Sequence, residues 1–263
     1  MDNVQNKTAM VTGAGSGIGY HVTEELLSKG AKKVAILDLP IARSYEATVS
    51  LQEKFGKDRV IFFPTDVTNL QVYTETFKQV VETLNGLDIL VNNAGICYDR
   101  CIEQTFAINV VALIRGSMFA LDYMGKHKGG KGGTIINIAS TAGLRLFPLC
   151  PVYSASKFAV VAFGRNLEKF YDKTGIRILT ICPGYTITGM KFSESIIEEK
   201  TFDIVDEEFL KKAAKKDYYR PQSVAHVGQS VVIAIQEGEN GSVWVVRNNE
   251  LPYPIKLSPF LAA

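Results

Sequence analysis

A tyrosine and a lysine four residues apart could move protons: Tyr153 and Lys157, in Tyr153-Ser-Ala-Ser-Lys157. In a helix this spacing places both side chains on one face. Tyrosine ordinarily titrates near ~10, too high to accept a proton from an alcohol at neutral pH. An ammonium at ~5 Å, in an effective dielectric of ~20, favours the phenolate by roughly 3 kcal/mol, or about two pKa units. We therefore expect Tyr153 to be the base in alcohol oxidation or the acid in carbonyl reduction.

A tyrosine–lysine pair at this spacing, taken alone, is more often an ordinary surface feature. The other motifs of the chain therefore decide its interpretation. A glycine-rich turn, Gly13-Ala-Gly-Ser-Gly-Ile-Gly19, follows the predicted strand Thr8–Thr12 and precedes an amphipathic helix that ends near Gly30. Glycines allow a sharp turn and a close approach to a pyrophosphate, and the helix N-terminus offers free N–H groups. A purely structural turn is the alternative, but this strand–turn–helix context favours a dinucleotide site.

An acid ends the next predicted strand, Lys33–Asp38, about twenty residues after the turn. A carboxylate there accepts hydrogen bonds from the adenosine ribose and repels a 2′-phosphate. Arg43 could fold back onto such a phosphate, although a position on the helix surface suits it better. The pattern favours NAD over NADP as the cofactor.

Several motifs in order resemble the short-chain dehydrogenase/reductase family over essentially the whole chain. They are Thr12–Gly19 for TGxxxGxG, Asn92-Asn-Ala-Gly95, Ser140 for the catalytic serine, Tyr153 with Lys157 for YxxxK, and Pro183–Thr188 for PGxxxT. Together these motifs are far more specific than any one of them.

The resemblance implies a role for each matching residue. Tyr153 becomes the acid/base, and Lys157 lowers its pKa and holds the nicotinamide ribose. Ser140 hydrogen-bonds the substrate oxygen. Asn109 holds a water in a proton relay, or is a helix asparagine satisfied internally. The expected cofactor contacts are Gly13, Gly15, Ser16, Gly17, Ile18, Gly19, Asp38, Asp66, Val67, Asn92, Ala94, Gly95, Tyr153, Lys157, Pro183, Gly184, Ile187 and Thr188. Asn93 is as well suited to stabilising the sheet as to touching the cofactor.

Length and composition indicate one α/β domain over residues 1–263, since the chain is 46% hydrophobic, carries a net charge of +2 and contains no stretch that resembles a linker. Short apolar runs alternate with helical stretches to the end of the chain. This pattern predicts a doubly wound (Rossmann) parallel sheet of seven strands with helices on both faces. Nothing favours a nucleic-acid partner, since the basic run Lys211–Lys216 fits a solvated helix face.

We expect a cytoplasmic protein without a metal site. The first strand begins too early to leave room for a signal peptide, and no apolar run approaches the ~18 to 20 residues that span a membrane. Four cysteines suit a reducing compartment. Cys97 and Cys101 do not have zinc-like spacing, and the three histidines are scattered.

The substrate is predicted to be a hydrophobic secondary alcohol or ketone, because a lid at about 188–220 and the segment Leu144–Val152 are both rich in apolar side chains. Pro151–Lys157 and two other segments look like NAD-linked 15-hydroxyprostaglandin dehydrogenases and related insect alcohol dehydrogenases. The prostaglandin enzymes carry a glutamine where this chain has Cys150, which argues against prostaglandin itself. A prostanoid, steroid or isoprenoid type of alcohol is favoured. A short aliphatic alcohol, or a non-catalytic carrier or sensor, is the alternative.

Helices near Glu103–Met124 and Val152–Thr174 match those that pair members of the family. The resemblance therefore implies a homodimer or homotetramer. The apolar tail Leu257–Ala263 could cover the pocket or a neighbouring subunit.

Overall fold

A computed structural model describes residues 4–189 and 220–257, and their centre is an eight-stranded sheet with the order β3-β2-β1-β4-β5-β6-β7-β8. The strands are β1 (Thr8–Thr12), β2 (Lys33–Asp38), β3 (Val60–Pro64), β4 (Ile89–Asn92), β5 (Gly133–Ile138), β6 (Ile176–Pro183), β7 (Val243–Val246) and β8 (Tyr253–Ile255). β1 to β7 are parallel and include the seven predicted strands. The order reverses between β1 and β4, where sheets of this class open a crevice at the carboxyl ends of the strands.

The eighth strand was not predicted. β8 pairs antiparallel with β7, with Val243 opposite Ile255. The connection passes through Asn248 and Asn249, both in the left-handed region at φ 60° and 55°. So short a return can only give an antiparallel neighbour. β8 has three residues and contains Pro254, so it offers almost no pattern of its own.

Helices cover both faces of the sheet, as predicted. They are α1 (Gly17–Ser28), α2 (Ala42–Phe55), α3 (Leu70–Leu84), α4 (Ile102–Phe106), α5 (Leu113–Met124), α6 (Pro151–Leu167), α7 (Tyr171–Thr174) and α8 (Val224–Glu237). Buried residues of α1, α2 and α8 form one apolar layer with the sheet. Those of α3, α5 and α6 form the layer on the other face. The sheet is thereby held rigid, and its strand ends are fixed relative to one another.

A π-helical segment, Ala107–Ala112, joins α4 and α5 into one continuous helix, Ile102–Met124. By length and composition alone this 23-residue helix could cross a membrane, with a mean hydropathy of 1.4 and 39% of the window buried. The expectation that no apolar run approaches membrane-spanning length was therefore wrong. The π segment widens the helix at Asn109, and such segments are frequent at functional sites.

The predicted lid lies mostly outside the described residues, as do Lys211–Lys216 and the tail beyond residue 257. The described residues on either side of the lid segment are joined to each other. Ile187 N–H donates to Gln222 O, and Gln222 N–H donates to Tyr185 O, each at 2.9 Å.

Candidate active site

A cavity of about 580 Å³ opens at the carboxyl ends of the parallel strands. Its wall holds most of the predicted site residues: Gly13, Ser16, Gly17, Ile18, Asp38, Asp66, Val67, Ala94, Gly95, Ser140, Tyr153, Lys157, Pro183, Gly184 and Thr188. Residues distant in sequence thus meet in one place because the strands that carry them are neighbours.

The glycine turn contributes Gly13 and Gly17, which have no side chains, to the cavity wall, together with Ser16 and Ile18. Gly13 has a φ of +65°, and a Cβ on it would lie 2.8 Å from Ala94 Cα. Asn93 fixes the turn, because its Nδ2 donates to the carbonyls of Thr12 and Gly13 at 2.9 Å. Asn93 also lines the cavity, so its predicted contact with the cofactor stays a prediction beside its structural role.

Gly15 and Gly19 are not among the residues that line the cavity. A Cβ on Gly15 would lie 2.6 Å from Ser44 Oγ, and one on Gly19 would lie 2.4 Å from Gly13 O. Both glycines are therefore required for close packing behind the turn, and a cofactor contact stays a prediction for each.

The N-terminus of α1 lies in the cavity wall. Within the part of the chain that the structure describes, no side chain caps this end, and the first turn contains no acidic residue. Ser16 and Gly17, at the start of the helix, line the cavity. Free N–H groups and the positive end of the helix dipole suit a phosphate.

Asp38 lies at the end of β2, where its carboxylate is held in place. Oδ2 accepts from Gly15 N–H and Oδ1 accepts from Leu39 N–H, both at 2.7 Å. Arg43 also lines the cavity, so a positively charged guanidinium lies in the same wall as the Asp38 carboxylate. A glycine-rich turn, a helix N-terminus without a side-chain cap and an acid beyond them fit a dinucleotide. The acid is suited to the adenosine ribose.

Three catalytic candidates, Ser140 after β5 and Tyr153 and Lys157 on α6, come together in the cavity wall. Lys157 is buried, its Nζ donates to Ile138 O at 2.9 Å, and Nζ lies 5.6 Å from the ring centroid of Tyr153. Ser140 and Tyr153 both line the cavity, and hydrogen bonding with Ser140 acts to lower the pKa of Tyr153. Ser140 also accepts from Ala142 N–H at 3.1 Å, which fixes the hydroxyl on its short turn. A substrate oxygen placed here can therefore reach both hydroxyls.

The pKa of Tyr153 differs from the expectation drawn from the sequence. Burial raises the pKa of Tyr153 above the ordinary value, although the hydrogen bond with Ser140 acts in the opposite direction. Burial also lowers the pKa of Lys157 to about 8. Burial therefore opposes the expected shift of the Tyr153 pKa towards neutrality, because desolvation disfavours both the phenolate and the ammonium.

Asn109 lies behind the cavity wall in the π segment and is fully buried. Its Nδ2 donates to Ile96 O at 2.8 Å and to Ser156 Oγ at 3.0 Å, and its Oδ1 accepts from Ile96 N–H at 2.8 Å. A Cβ on Gly95 would lie 3.2 Å from Oδ1 and 3.5 Å from Lys157 Nζ, which places Asn109 close to the lysine. Its amide N–H groups are satisfied internally, as in the alternative considered above. A role in a water relay stays a prediction.

Two other predicted contacts lie elsewhere. Asn92 is buried, and its Nδ2 donates to Ser117 Oγ at 2.9 Å and to Asn137 Oδ1 at 3.0 Å, so it joins β4 to β5 and α5. Ile187 is 63% exposed and does not line the cavity. Alternation along a strand or loop, which turns neighbouring side chains to opposite sides, accounts for Asn92 pointing away while Asn93 points in.

The substrate side of the cavity is apolar and aromatic, with Ile96, Tyr98, Phe147 and Tyr185 in its wall. The segment Leu144–Val152 forms part of this wall, as predicted, but not uniformly. Phe147 lines the cavity, Arg145 adds a charged group to it, and Leu146 is 90% exposed to solvent.

A cluster that sequence reasoning missed lies beside Tyr153. Two Sγ atoms, of Cys97 and Cys150, and one carboxylate oxygen, of Asp99, lie within 4.8 Å of one another. The Asp99 carboxylate accepts from the N–H groups of Val152 at 2.8 Å and Tyr153 at 2.9 Å, and so caps α6. Only an N-capping pattern could have pointed to Asp99, and Asp99 is too far from α6 in the chain to show one.

Burial in this cluster disfavours charge. Hydrogen bonding with Cys97 and burial raise the pKa of Cys150, and burial raises the pKa of Asp99. All four cysteines are free thiols.

Comparisons with known proteins agree with this geometry. A family model described as short chain dehydrogenase matches residues 7–197. Human 15-hydroxyprostaglandin dehydrogenase [NAD(+)] is 42% identical over 200 residues, which cover 75% of this chain and 74% of that protein. Alcohol dehydrogenase 1 of Ceratitis capitata is 33% identical over 251 residues, 95% of each chain.

Among solved structures, a short chain dehydrogenase from Burkholderia cenocepacia J2315 in complex with NADP is similar, with a TM-score of 0.76 and 25% identity. The match covers 94% of this chain and 98% of that one.

Proposed function

The chain belongs to the short-chain dehydrogenase family and is an NAD(P)-dependent oxidoreductase, and on that premise we propose that it interconverts a hydrophobic secondary alcohol and its ketone with NAD. One observation carries the proposal. Ser140, Tyr153 and Lys157 line the same cavity as the glycine turn and Asp38. A site with this composition places acid/base groups and a dinucleotide cradle next to one another.

The chain's own residues supply the proton chemistry. Because burial keeps the Tyr153 phenol protonated, it is ready to donate to a ketone oxygen, and in the reverse direction the phenolate accepts the alcohol proton. Ser140 donates to the same oxygen and orients it. Lys157, buried beside Tyr153, would hold the nicotinamide ribose. A bound nicotinamide supplies the two-electron exchange with that carbon.

The preference for NAD rests on Asp38. Its carboxylate is held by Gly15 and Leu39 at the end of β2, where a 2′-phosphate would meet negative charge. The name of the human relative specifies NAD(+), whereas the Burkholderia structure contains NADP. Arg43 could favour a phosphate, so the choice depends on which of the two groups dominates.

The preference for a lipid-like substrate of prostanoid, steroid or isoprenoid type rests on the wall formed by Ile96, Tyr98, Phe147 and Tyr185. Aromatic and aliphatic surface of this kind is stabilised by contact with hydrocarbon rather than with a sugar. A short aliphatic alcohol is the second candidate, because the Ceratitis relative is named alcohol dehydrogenase and matches along 95% of the chain.

The test is NADH absorbance produced by the purified protein from matched secondary alcohols of increasing apolar size, each with NAD and with NADP. We expect kcat/KM to rise with apolar size, by about tenfold for every 1.4 kcal/mol of added burial, and to be higher with NAD. A maximum at the shortest alcohols would favour the second candidate. Absence of turnover together with tight NADH binding would contradict both and favour a carrier or sensor.

A further inference from the structure

The cluster of Cys97, Asp99 and Cys150 has the composition of a metal site, although their positions in the chain do not suggest one. Soft thiolates with a carboxylate select zinc-like divalent cations. Around a tetrahedral zinc ion such ligand atoms are about 3.6–3.8 Å apart, given Zn–S and Zn–O distances of about 2.3 and 2.1 Å. All three lie within 4.8 Å of one another here, so shifts of about 1 Å would close the site.

Hydrogen bonds hold the segment that carries two of the ligands in place. Ile96, which precedes Cys97, exchanges two hydrogen bonds with the Asn109 side chain. Tyr98 O accepts from Thr105 Oγ1 at 2.7 Å. Cys97 and Asp99 are therefore presented by a fixed segment rather than by a free loop.

The other two sides of the cluster are also supported. Cys150 N–H donates to Phe147 O at 3.2 Å, at the start of α6. Both oxygens of Asp99 accept a backbone N–H from α6, which orients the carboxylate and leaves each oxygen a lone pair. Hydrogen bonds that orient the side chains holding a metal ion typically strengthen metal binding.

The site has an entrance. Cys150 and Asp99 are buried, with 2% and 6% exposure, whereas Cys97 lines the catalytic cavity. An ion could therefore arrive through the cavity, and its fourth position would face the space beside Tyr153. An open coordination position distinguishes such a site from a closed structural one.

We propose that Cys97, Asp99 and Cys150 bind one soft divalent cation of the zinc type in the wall of the catalytic cavity. As the two metal–sulfur bonds form, each thiol releases its proton to solvent, and the carboxylate supplies the third ligand. The site is additional to the dehydrogenase chemistry and does not depend on it.

The experiment titrates the full-length, fully reduced protein with Cd²⁺, followed by the thiolate-to-cadmium ultraviolet band, and then displaces Cd²⁺ with Zn²⁺. No substrate or cofactor is present, so failure here would leave the proposed dehydrogenase activity unaffected. We expect one ion per chain in the wild type. Cys97→Ser and Cys150→Ala should each weaken binding by at least about 100-fold, since each removes a ligand.

The matched control is Cys101→Ser, which changes a nearby thiol outside the cluster and should bind as the wild type does. Circular dichroism establishes that each variant is folded. Cys97 lies on the cavity wall, so Cys97→Ser is expected to fold. It therefore tests the proposal even if Cys150→Ala fails to fold. The proposal is overturned if the wild type gives no cadmium–thiolate band at equimolar metal, or if Cys97→Ser binds as tightly as Cys101→Ser.

Discussion

At the scale of single residues, Tyr153 shows how strongly burial competes with a neighbouring charge. The sequence places an ammonium near the phenol, and the structure confirms that Lys157 is 5.6 Å from the ring. Its Nζ, however, donates to Ile138 O, and both side chains are desolvated. Burial therefore favours the protonated phenol, which suits the acid of ketone reduction.

A titration of cofactor-free protein tests this directly. We expect no tyrosinate from Tyr153 as pH rises to ~10, because burial raises its pKa above that ordinary value. The measurement is the difference in tyrosinate ultraviolet absorbance between the wild type and Tyr153→Phe. A difference that appears near neutral pH would contradict the effect of burial and support the original expectation from Lys157.

Asp38 provides the second residue-scale prediction, on cofactor choice. Asp38→Asn removes the charge and keeps an amide oxygen for Gly15 N–H, although its NH2 group cannot accept from Leu39 N–H. We expect the ratio of kcat/KM for NAD over NADP to fall by about 10- to 100-fold, as for the loss of 1.4–2.8 kcal/mol of discrimination.

Adding Arg43→Ala to Asp38→Asn identifies the source of any activity with NADP. If Arg43 binds the 2′-phosphate once the acid is neutralised, the double variant loses the gain with NADP, since Arg43 lines the same cavity. An unchanged cofactor ratio in Asp38→Asn alone would show that Asp38 does not set the preference.

At the scale of elements, the helix Ile102–Met124 combines a π segment that holds a buried asparagine with an exposed apolar surface. Its π segment presents the buried Asn109 to Ile96 and Ser156. The same helix leaves Val111, Met118 and Tyr123 exposed, and Phe158 is exposed on α6. Apolar surface on adjacent helices is typical of a face that a partner covers.

We propose that this face pairs two copies of the chain, at least as a homodimer. Met118→Glu would place a charge in the interface and should weaken association by at least about tenfold. Light scattering in detergent-free buffer measures the mass. Val49→Glu, on exposed α2 across the sheet, is the control and should leave the mass unchanged. A wild type that is monomeric in detergent-free buffer would contradict the proposal. A wild type that stays in solution only with detergent would also contradict it and would favour a membrane role for the helix.

At the scale of the whole molecule, the parts of the fold that carry a local pattern were predictable. The seven parallel strands, the glycine turn and the convergence of Ser140, Tyr153 and Lys157 follow from apolar runs and motifs at the strand ends. A parallel sheet brings those ends together whatever the intervening loops do.

What depends on contacts between distant segments could not be predicted. The cysteine pair of the cluster is Cys97 with Cys150 rather than Cys97 with Cys101, because the sheet brings the β4 loop to the start of α6. The largest influence on the pKa of Tyr153 is the burial of its side chain, which the spacing of residues along the sequence does not reveal. Asn92 points away from the cavity because its amide joins two strands inside the sheet layer.

The most direct test of the account is Tyr153→Phe, which removes one oxygen atom and keeps the ring. We predict that kcat/KM for the best alcohol falls by about 100- to 10,000-fold, the usual contribution of a general acid or base, while the Kd for NADH stays within about threefold. Tyr45→Phe, an exposed tyrosine on α2, is the matched control and should retain full activity. Turnover by Tyr153→Phe at the wild-type rate would contradict the assignment of Tyr153 as the acid/base.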